Sequence, residues 1–212
     1  MLKPAEFPPA WESEIIPGDY FVPLDIQAIY GRNAPLEVDL GCGDGSFLVA
    51  SADANPTRDF LGIERLAGRV RRVCRKIASS RAANARVLRV ESSYAVQRLL
   101  PAASVAVFHL LFPDPWPKRR HWGRRIVTED FLAALHRALV PQGTLRIATD
   151  QIDYFQEIER LVNQSTRFVA SSATESGPAI STFEKRFRQS DLDIHWLVLR
   201  KVSVSRNDVA SQ

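Results

Sequence analysis

A chain of 212 residues, 45% of them hydrophobic, has the size and composition of one packed domain and not of a disordered protein. No apolar run reaches the roughly 18 residues that a membrane helix needs, and the N-terminal MLKPAEFPPAWESE lacks the apolar core of a secretory leader, so a cytoplasmic protein is expected. The formal net charge of +4 is too small to imply a polyanionic partner by itself, so the placement of charge has to carry that argument.

Residues 1–34 are rich in proline and aromatics without a steady period, and read as an irregular segment lying on the domain that follows. From residue 35 to 204 short apolar runs alternate with helical patterns. LEVDL ends in glycines, and SFLVASADA follows as a helix. Strand-like DFLGIE precedes a basic helix over 66–82, then come strand-like ARVLRVE and a short helix near 94–99. SVAVFHLLF is the most strand-like run of the chain. TEDFLAALHRAL is an amphipathic helix with Thr128 as its N-cap and acids in its first turn. Pro141-Gln142-Gly143 should break that helix before strand TLRIATD and helix QIDYFQEIERLV. TRFVASS and IHWLVLRKVSV close the domain without a helix between them, and a polar tail covers 205–212. The pattern predicts an α/β fold with a mainly parallel seven-stranded sheet and an antiparallel edge hairpin. Cys42 and Cys74 stand in no metal-ligand or redox spacing, so neither a disulfide nor a metal site is expected.

The first strand leads into DLGCGDGS, which places Asp39 ahead of Gly41, Gly43 and Gly45. Glycines at a strand-to-helix turn let the backbone bend sharply and let a ligand approach closely. The spacing is not the GxGxxG of a dinucleotide site, and Asp39 and Asp44 would repel a pyrophosphate. An acid before the loop suits a cationic ligand such as an ammonium or a sulfonium. Glu64, closing the second strand, is placed to accept from the two hydroxyls of a ribose. An adenosine with a cationic tail is S-adenosyl-L-methionine, and these acids around a glycine loop predict a Rossmann-like class I methyltransferase that uses it. The plainer reading is a tight βα turn with Asp39 buried and hydrogen-bonded.

The fourth strand runs into FPDPWPKRRHWGRR. Ligands of open α/β sheets bind beyond the C-terminal strand ends, which places Asp114 at the site mouth. Prolines 113, 115 and 117 fix the backbone around it, and Trp116 offers a flat face. From Lys118 to Arg125 five of eight residues are lysine or arginine, with no acid among them. Arg119, Arg120, Arg124 and Arg125 are therefore candidates to hold RNA phosphates. His121 and Trp122 either stack on an unpaired base or form an exposed turn. A second block, Arg69–Lys76, has the same density of charge but reads as a solvated helix face, with Val70, Val73, Cys74 and Ile77 forming the buried stripe.

FPDPWPKRRHWGRRIV, together with LRIATD and STFEKR, resembles the bacterial tRNA (guanine-N7-)-methyltransferase family over about residues 35–202. The resemblance implies methyl transfer from S-adenosyl-L-methionine to N7 of guanine 46 in the variable loop of tRNA. Position by position, it implies cofactor contacts from Asp39, Gly41, Gly43 and Glu64, with Asp114 as the catalytic acid at the boundary of cofactor and substrate. Lys118, Asp150 and the run Ser181, Thr182, Phe183, Glu184 fall on substrate-binding positions. Where the family carries an acid after the third strand this chain has Ser93 and Tyr94, whose hydroxyl or amides would then face the cofactor. Asp150 either reads the guanine N1 and N2 hydrogens or caps the helix after it. The expected assembly is a monomer or homodimer. Two other functions fit the residues: methylation of an exocyclic amino group of a base, and RNA binding without catalysis.

Overall fold

The computed structural model describes residues 10–171 and 193–202. Two short elements, β1 (Glu14–Ile15) and α1 (Ile26–Tyr30), precede the alternating part of the chain. That part runs β2 (Leu36–Leu40), α2 (Ser46–Ala54), β3 (Asp59–Ile63), α3 (Ala67–Ala78), β4 (Ala85–Leu88) and α4 (Ser92–Tyr94), which continues as a π turn over Ala95–Leu99. It goes on through β5 (Val105–Leu111), a 3-10 helix (Arg119–Arg124), α5 (Glu129–Ala138), β6 (Leu139–Thr149), α6 (Ile152–Asn163), β7 (Phe168–Ala170) and β8 (His195–Lys201).

The strands form one sheet in the order β1-β4-β3-β2-β5-β6-β8-β7. All neighbours are parallel except β8, which runs antiparallel to both β6 and β7. Among the described residues the sheet thus has eight strands where the periodicity predicts seven. The extra one lies in the segment expected to be irregular: Glu14 and Ile15 pair with Val87 and Leu88 at the edge. Two residues carry no period, so nothing in the pattern could reveal them. Pro141-Gln142-Gly143 also behaves differently from expectation. Helix α5 stops at Ala138, but β6 begins at once, and the triplet is absorbed into it as a distortion with Gln142 at φ 64° and a register shift on β5.

Side chains alternate across β2, and this splits the core in two. Leu36, Val38 and Leu40 pack with Leu99, Phe131, Leu135, Tyr154 and Ile158 on the face covered by the π turn, α5 and α6. On the other face Leu48 and Ala52 of α2 meet Phe60, Val87 and the Val70, Val73, Ile77 stripe of α3. Burial of each large side chain contributes about 1.5–3 kcal/mol. Helix α5 starts where Thr128 Oγ1 accepts from Phe131 N at 3.2 Å, with Glu129 and Asp130 in the first turn. Because Glu37 and Asp39 occupy the alternate positions of β2, the fold puts two acids on the α2/α3 face, the second of them at the C-terminal end of the strand.

Candidate active site

The C-terminal ends of β2 to β5 open into a cleft of about 930 Å³. Asp39, Gly41, Gly43, Glu64, Asp114 and Asp150 all line it, although their positions span more than a hundred residues of sequence. The turn after β2 is tied down by Gly41 N and Cys42 N, which both donate to Ile63 O at 2.9 Å. Gly41 has φ 75°, and a Cβ there would meet nothing within 4 Å. The left-handed backbone, not crowding, requires glycine, and the space it leaves opens into the cleft. Gly45 differs: it is left-handed at φ 76° and a Cβ would come within 2.9 Å of Val73, so it also lets α2 pack against α3.

Asp39 is only 5% exposed, and burial, then the charges of Glu64 and Asp44, raise its pKa to about 7. Asp44 is itself answered by Lys76, whose Nζ donates to it at 2.7 Å and to Ser46 Oγ at 2.6 Å. Asp39 receives no such help: among the described residues the charges that act on it are two further carboxylates. A sulfonium or ammonium in the cleft would supply the missing positive charge, so the residues present fit S-adenosyl-L-methionine. Glu64 is fixed at the end of β3. Its Oε1 accepts from Leu66 N at 2.8 Å and its Oε2 faces Arg69 Nη1 at 3.4 Å, and each oxygen keeps a second acceptor position for a ribose hydroxyl.

The third strand corrects the sequence reading. Ser93 and Tyr94 do not line the cleft; Glu91 and Ser92 do. Helix α4 begins at Ser92 and turns the next two side chains away. Ser93 Oγ donates to Glu91 Oε1 at 3.3 Å, and Tyr94 OH donates to Tyr20 O at 2.9 Å. The acid after the third strand is Glu91, whose Oε2 also accepts from Tyr94 N at 3.0 Å. The available signal was the repetition itself: β2, β3 and β4 each run out into an acid.

Asp114 is exposed in the turn after β5, between two bulky residues with left-handed backbones, Phe112 at φ 53° and Trp116 at φ 43°. Such conformations are unfavourable for L-residues and persist only where the surroundings impose them, which is characteristic of functional turns. Phe112 N donates to Ala148 O at 2.7 Å, and the next part of the turn is braced by Arg125, whose burial sets it apart from the exposed arginines expected to hold RNA phosphates. Arg125 is 5% exposed. Its Nε donates to Pro115 O at 2.8 Å, its Nη1 bonds Glu157 of α6, and its guanidinium lies 4.7 Å from the Trp122 ring centroid and 4.6 Å from that of Tyr154. A planar, always charged group fits this sandwich as no lysine would. Arg125→Ala should therefore lower stability by about 3 kcal/mol, since it removes one partner of a largely buried pair. Chemical denaturation reads this directly, and a change under about 0.5 kcal/mol, the usual range for surface sites, would restore Arg125 to the surface set.

The other basic residues of the block stay outside. Lys118, Arg119 and Arg120 are exposed beyond the cleft, while Arg124 lines it and lies 4.9 Å over the Trp116 ring. His121 meets the same ring edge-on at 5.7 Å, and Trp122 is occupied by Arg119 and Arg125. Of the two tryptophan rings, Trp116 is the one that lines the cleft. Asp150 lines the cleft, and it is not the cap of α6: that position is Gln151, without a side-chain capping bond, and Gln151 Nε2 donates to Asp150 Oδ2 at 3.1 Å. Ser181, Thr182, Phe183 and Glu184 and the tail 205–212 lie outside the described residues. Arg69 and Arg72 line the cleft although the sequence reads the Arg69–Lys76 face as merely solvated, and Arg65, just before α3, lines it with them.

A parallel sheet of this order, with acids closing successive strands around a glycine turn, is the fold of the class I, S-adenosylmethionine-dependent methyltransferases. Among solved structures, the antibiotic-resistance methyltransferase Kmr superposes with a TM-score of 0.59 over 85% of this chain and 93% of its own, at 19% identity. The family model described as "Putative methyltransferase" matches residues 33–196. The tRNA (guanine-N(7)-)-methyltransferase of Syntrophotalea carbinolica is 32% identical over 84% of this chain and 79% of its own length. That of Leifsonia xyli subsp. xyli is 43% identical over 71% of this chain and 64% of its own. The chain belongs to the tRNA (guanine-N(7)-)-methyltransferase family.

Proposed function

We propose that this protein transfers a methyl group from S-adenosyl-L-methionine to N7 of a guanine in tRNA, at position 46 of the variable loop. The single observation that carries the reading is the convergence of Asp39, Glu64, Glu91, Asp114 and Asp150 on one cleft whose rims are basic. The relatives named above supply the substrate and the atom.

The cofactor supplies an electrophilic methyl on a sulfonium. Asp39 answers positive charge, Glu64 takes the ribose hydroxyls, and Glu91 lines the same cleft. Guanine N7 already carries a free lone pair, so no residue has to remove a proton to make the nucleophile. The protein's task is to hold N7 in line with the methyl. The methylated base is a cation, and Asp114, held in its strained turn by Arg125, places a carboxylate where that charge develops. Asp150 accepts from the N1 and N2 hydrogens that mark guanine, with Glu184 as a second candidate. Lys118, Arg119, Arg120 and Arg124 hold the phosphates around the entering nucleotide.

Incubation of the protein with bulk unmodified tRNA and labelled cofactor, followed by mapping of the modified nucleotide, tests this. The expected product is 7-methylguanosine at position 46. Label on an exocyclic amino group of adenine or cytosine would support the alternative chemistry, and cofactor binding without any product would support RNA binding alone.

A further inference from the structure

The charge on α3 is unexplained by the fold. Its buried stripe is complete with Val70, Val73, Cys74 and Ile77, so the arginines are not packing groups. The helix holds no acid with which they could pair along its length. Arg69 and Arg72 stand three apart on α3, which costs about 0.2–0.5 kcal/mol of like-charge repulsion, and Arg65 adds a third positive charge in the loop just before the helix. Arg69 also sits in the first turn, at the positive end of the helix dipole, where an acid would be favoured, and N-cap Leu66 offers no side-chain bond to relieve it. Lys76, the next residue along the stripe, is already neutralised by Asp44. What remains uncompensated is the part of the stripe beside the cleft. Among the described residues the acid that approaches it is Glu64, at 3.4 Å from an Arg69 side chain that is 51% exposed, and Glu64 belongs to the proposed cofactor site. A helix that breaks its own electrostatic rules at one end, next to a site, points to a ligand there.

We infer that Arg65, Arg69 and Arg72 form a second rail for RNA phosphates. Both this rail and Arg124 line the same cleft. β2 separates β3, which leads to the rail, from β5, which leads to Arg124, so the two groups flank the glycine turn from opposite sides. The RNA backbone therefore spans the cleft mouth, with the target nucleotide dropping between two sets of phosphate contacts, and does not follow residues 118–124 alone. This rests on the reading of the substrate as tRNA.

The test is the salt dependence of tRNA binding, followed by fluorescence anisotropy from about 50 to 200 mM salt. Three proteins are compared: wild type, Arg65→Gln/Arg72→Gln, and Arg71→Gln/Arg75→Gln. The last removes the same charge from the same helix at residues that do not line the cleft. Each phosphate contact contributes about 0.7–0.9 to the slope of log affinity against log salt. The first double variant should lose about 1.5 from that slope, and the second less than half as much. Equal losses in the two, or none in the first, would overturn the rail. Calorimetry with S-adenosyl-L-methionine reports whether each variant is folded, and single Arg65→Gln, outside the helix, gives the same readout at half the size. Product mapping on the wild type is scored separately. Absence of 7-methylguanosine would refute the proposed reaction, whereas a wild type that methylates tRNA with unchanged slopes in every variant would refute the rail alone.

Discussion

Asp114→Ala is expected to lower methyl transfer to tRNA by about 100- to 1000-fold, the usual loss when a charge-stabilising group is removed from a developing ion. The fold should hardly notice. Asp114 is exposed, and the turn that carries it is fixed by Arg125 on Pro115 O and by the prolines on either side. A surface substitution of this kind usually changes stability by less than about 0.5 kcal/mol. Cofactor affinity should fall far less than turnover, because Asp39, Glu64 and Glu91 remain. Asp114→Asn separates charge from shape: it keeps the hydrogen-bonding outline but cannot answer a cationic base, so it should resemble alanine. Single-turnover rates at saturating tRNA, with melting curves alongside, decide the matter. Turnover near wild type in either variant would remove Asp114 from the chemistry and leave positioning by Asp150 and Trp116 as the basis of catalysis.

The parts of this site legible in the sequence are those written locally. The glycine turn, the acids at strand ends and the proline-fixed turn each occupy a few consecutive residues. The rule that ligands gather beyond C-terminal strand ends is enough to bring them together from the amino-acid order alone. What was illegible depends on side-chain direction. Arg125 stands in an unbroken basic run with Arg124, yet one lines the cleft and the other is buried against Tyr154 and Glu157, some thirty residues away. Charge composition cannot distinguish two neighbours on opposite sides of a turn. Ser93 and Glu91 differ in the same way. The first turn of α4 decides which of them lines the cleft, and a sequence pattern places a helix start only to within the one or two residues that matter here. Strand β1 escaped because two residues have no period, and the α3 arginines because an amphipathic pattern accounts for a polar face without saying what the face touches.

Asp39→Asn should make the protein without cofactor more stable and cofactor binding weaker, and the reason lies in the burial of that carboxylate. The folded pKa of about 7 stands above the ordinary carboxylate value of 3.8, so the charged form is the disfavoured one in the fold. The sign follows. Below the ordinary value the acid is protonated in both folded and unfolded chains and has no effect. As pH rises towards 7 the unfolded chain ionises freely while the folded one resists, and stability falls across that window before levelling off. Asparagine cannot ionise, so the variant should gain on the order of 2 kcal/mol over wild type at about pH 8 and nothing at about pH 4. Binding runs the other way. A cationic ligand needs Asp39 ionised, and wild-type affinity should drop about tenfold per unit as pH falls below about 7, in addition to any titration of the ligand itself. In the variant that part of the slope disappears, and affinity at about pH 8 should be about 10- to 100-fold lower for loss of one charged hydrogen-bonding partner. Calorimetric titrations of both proteins with S-adenosyl-L-methionine at several pH values read the difference of slopes, in which the ligand's own titration cancels. If the two slopes coincide and the affinities match, Asp39 is a buried acid of the turn and the cation is held by Glu64 or Glu91 instead. If stability rises as stated while affinity falls, the same carboxylate is the point at which this fold gives up stability to bind its cofactor.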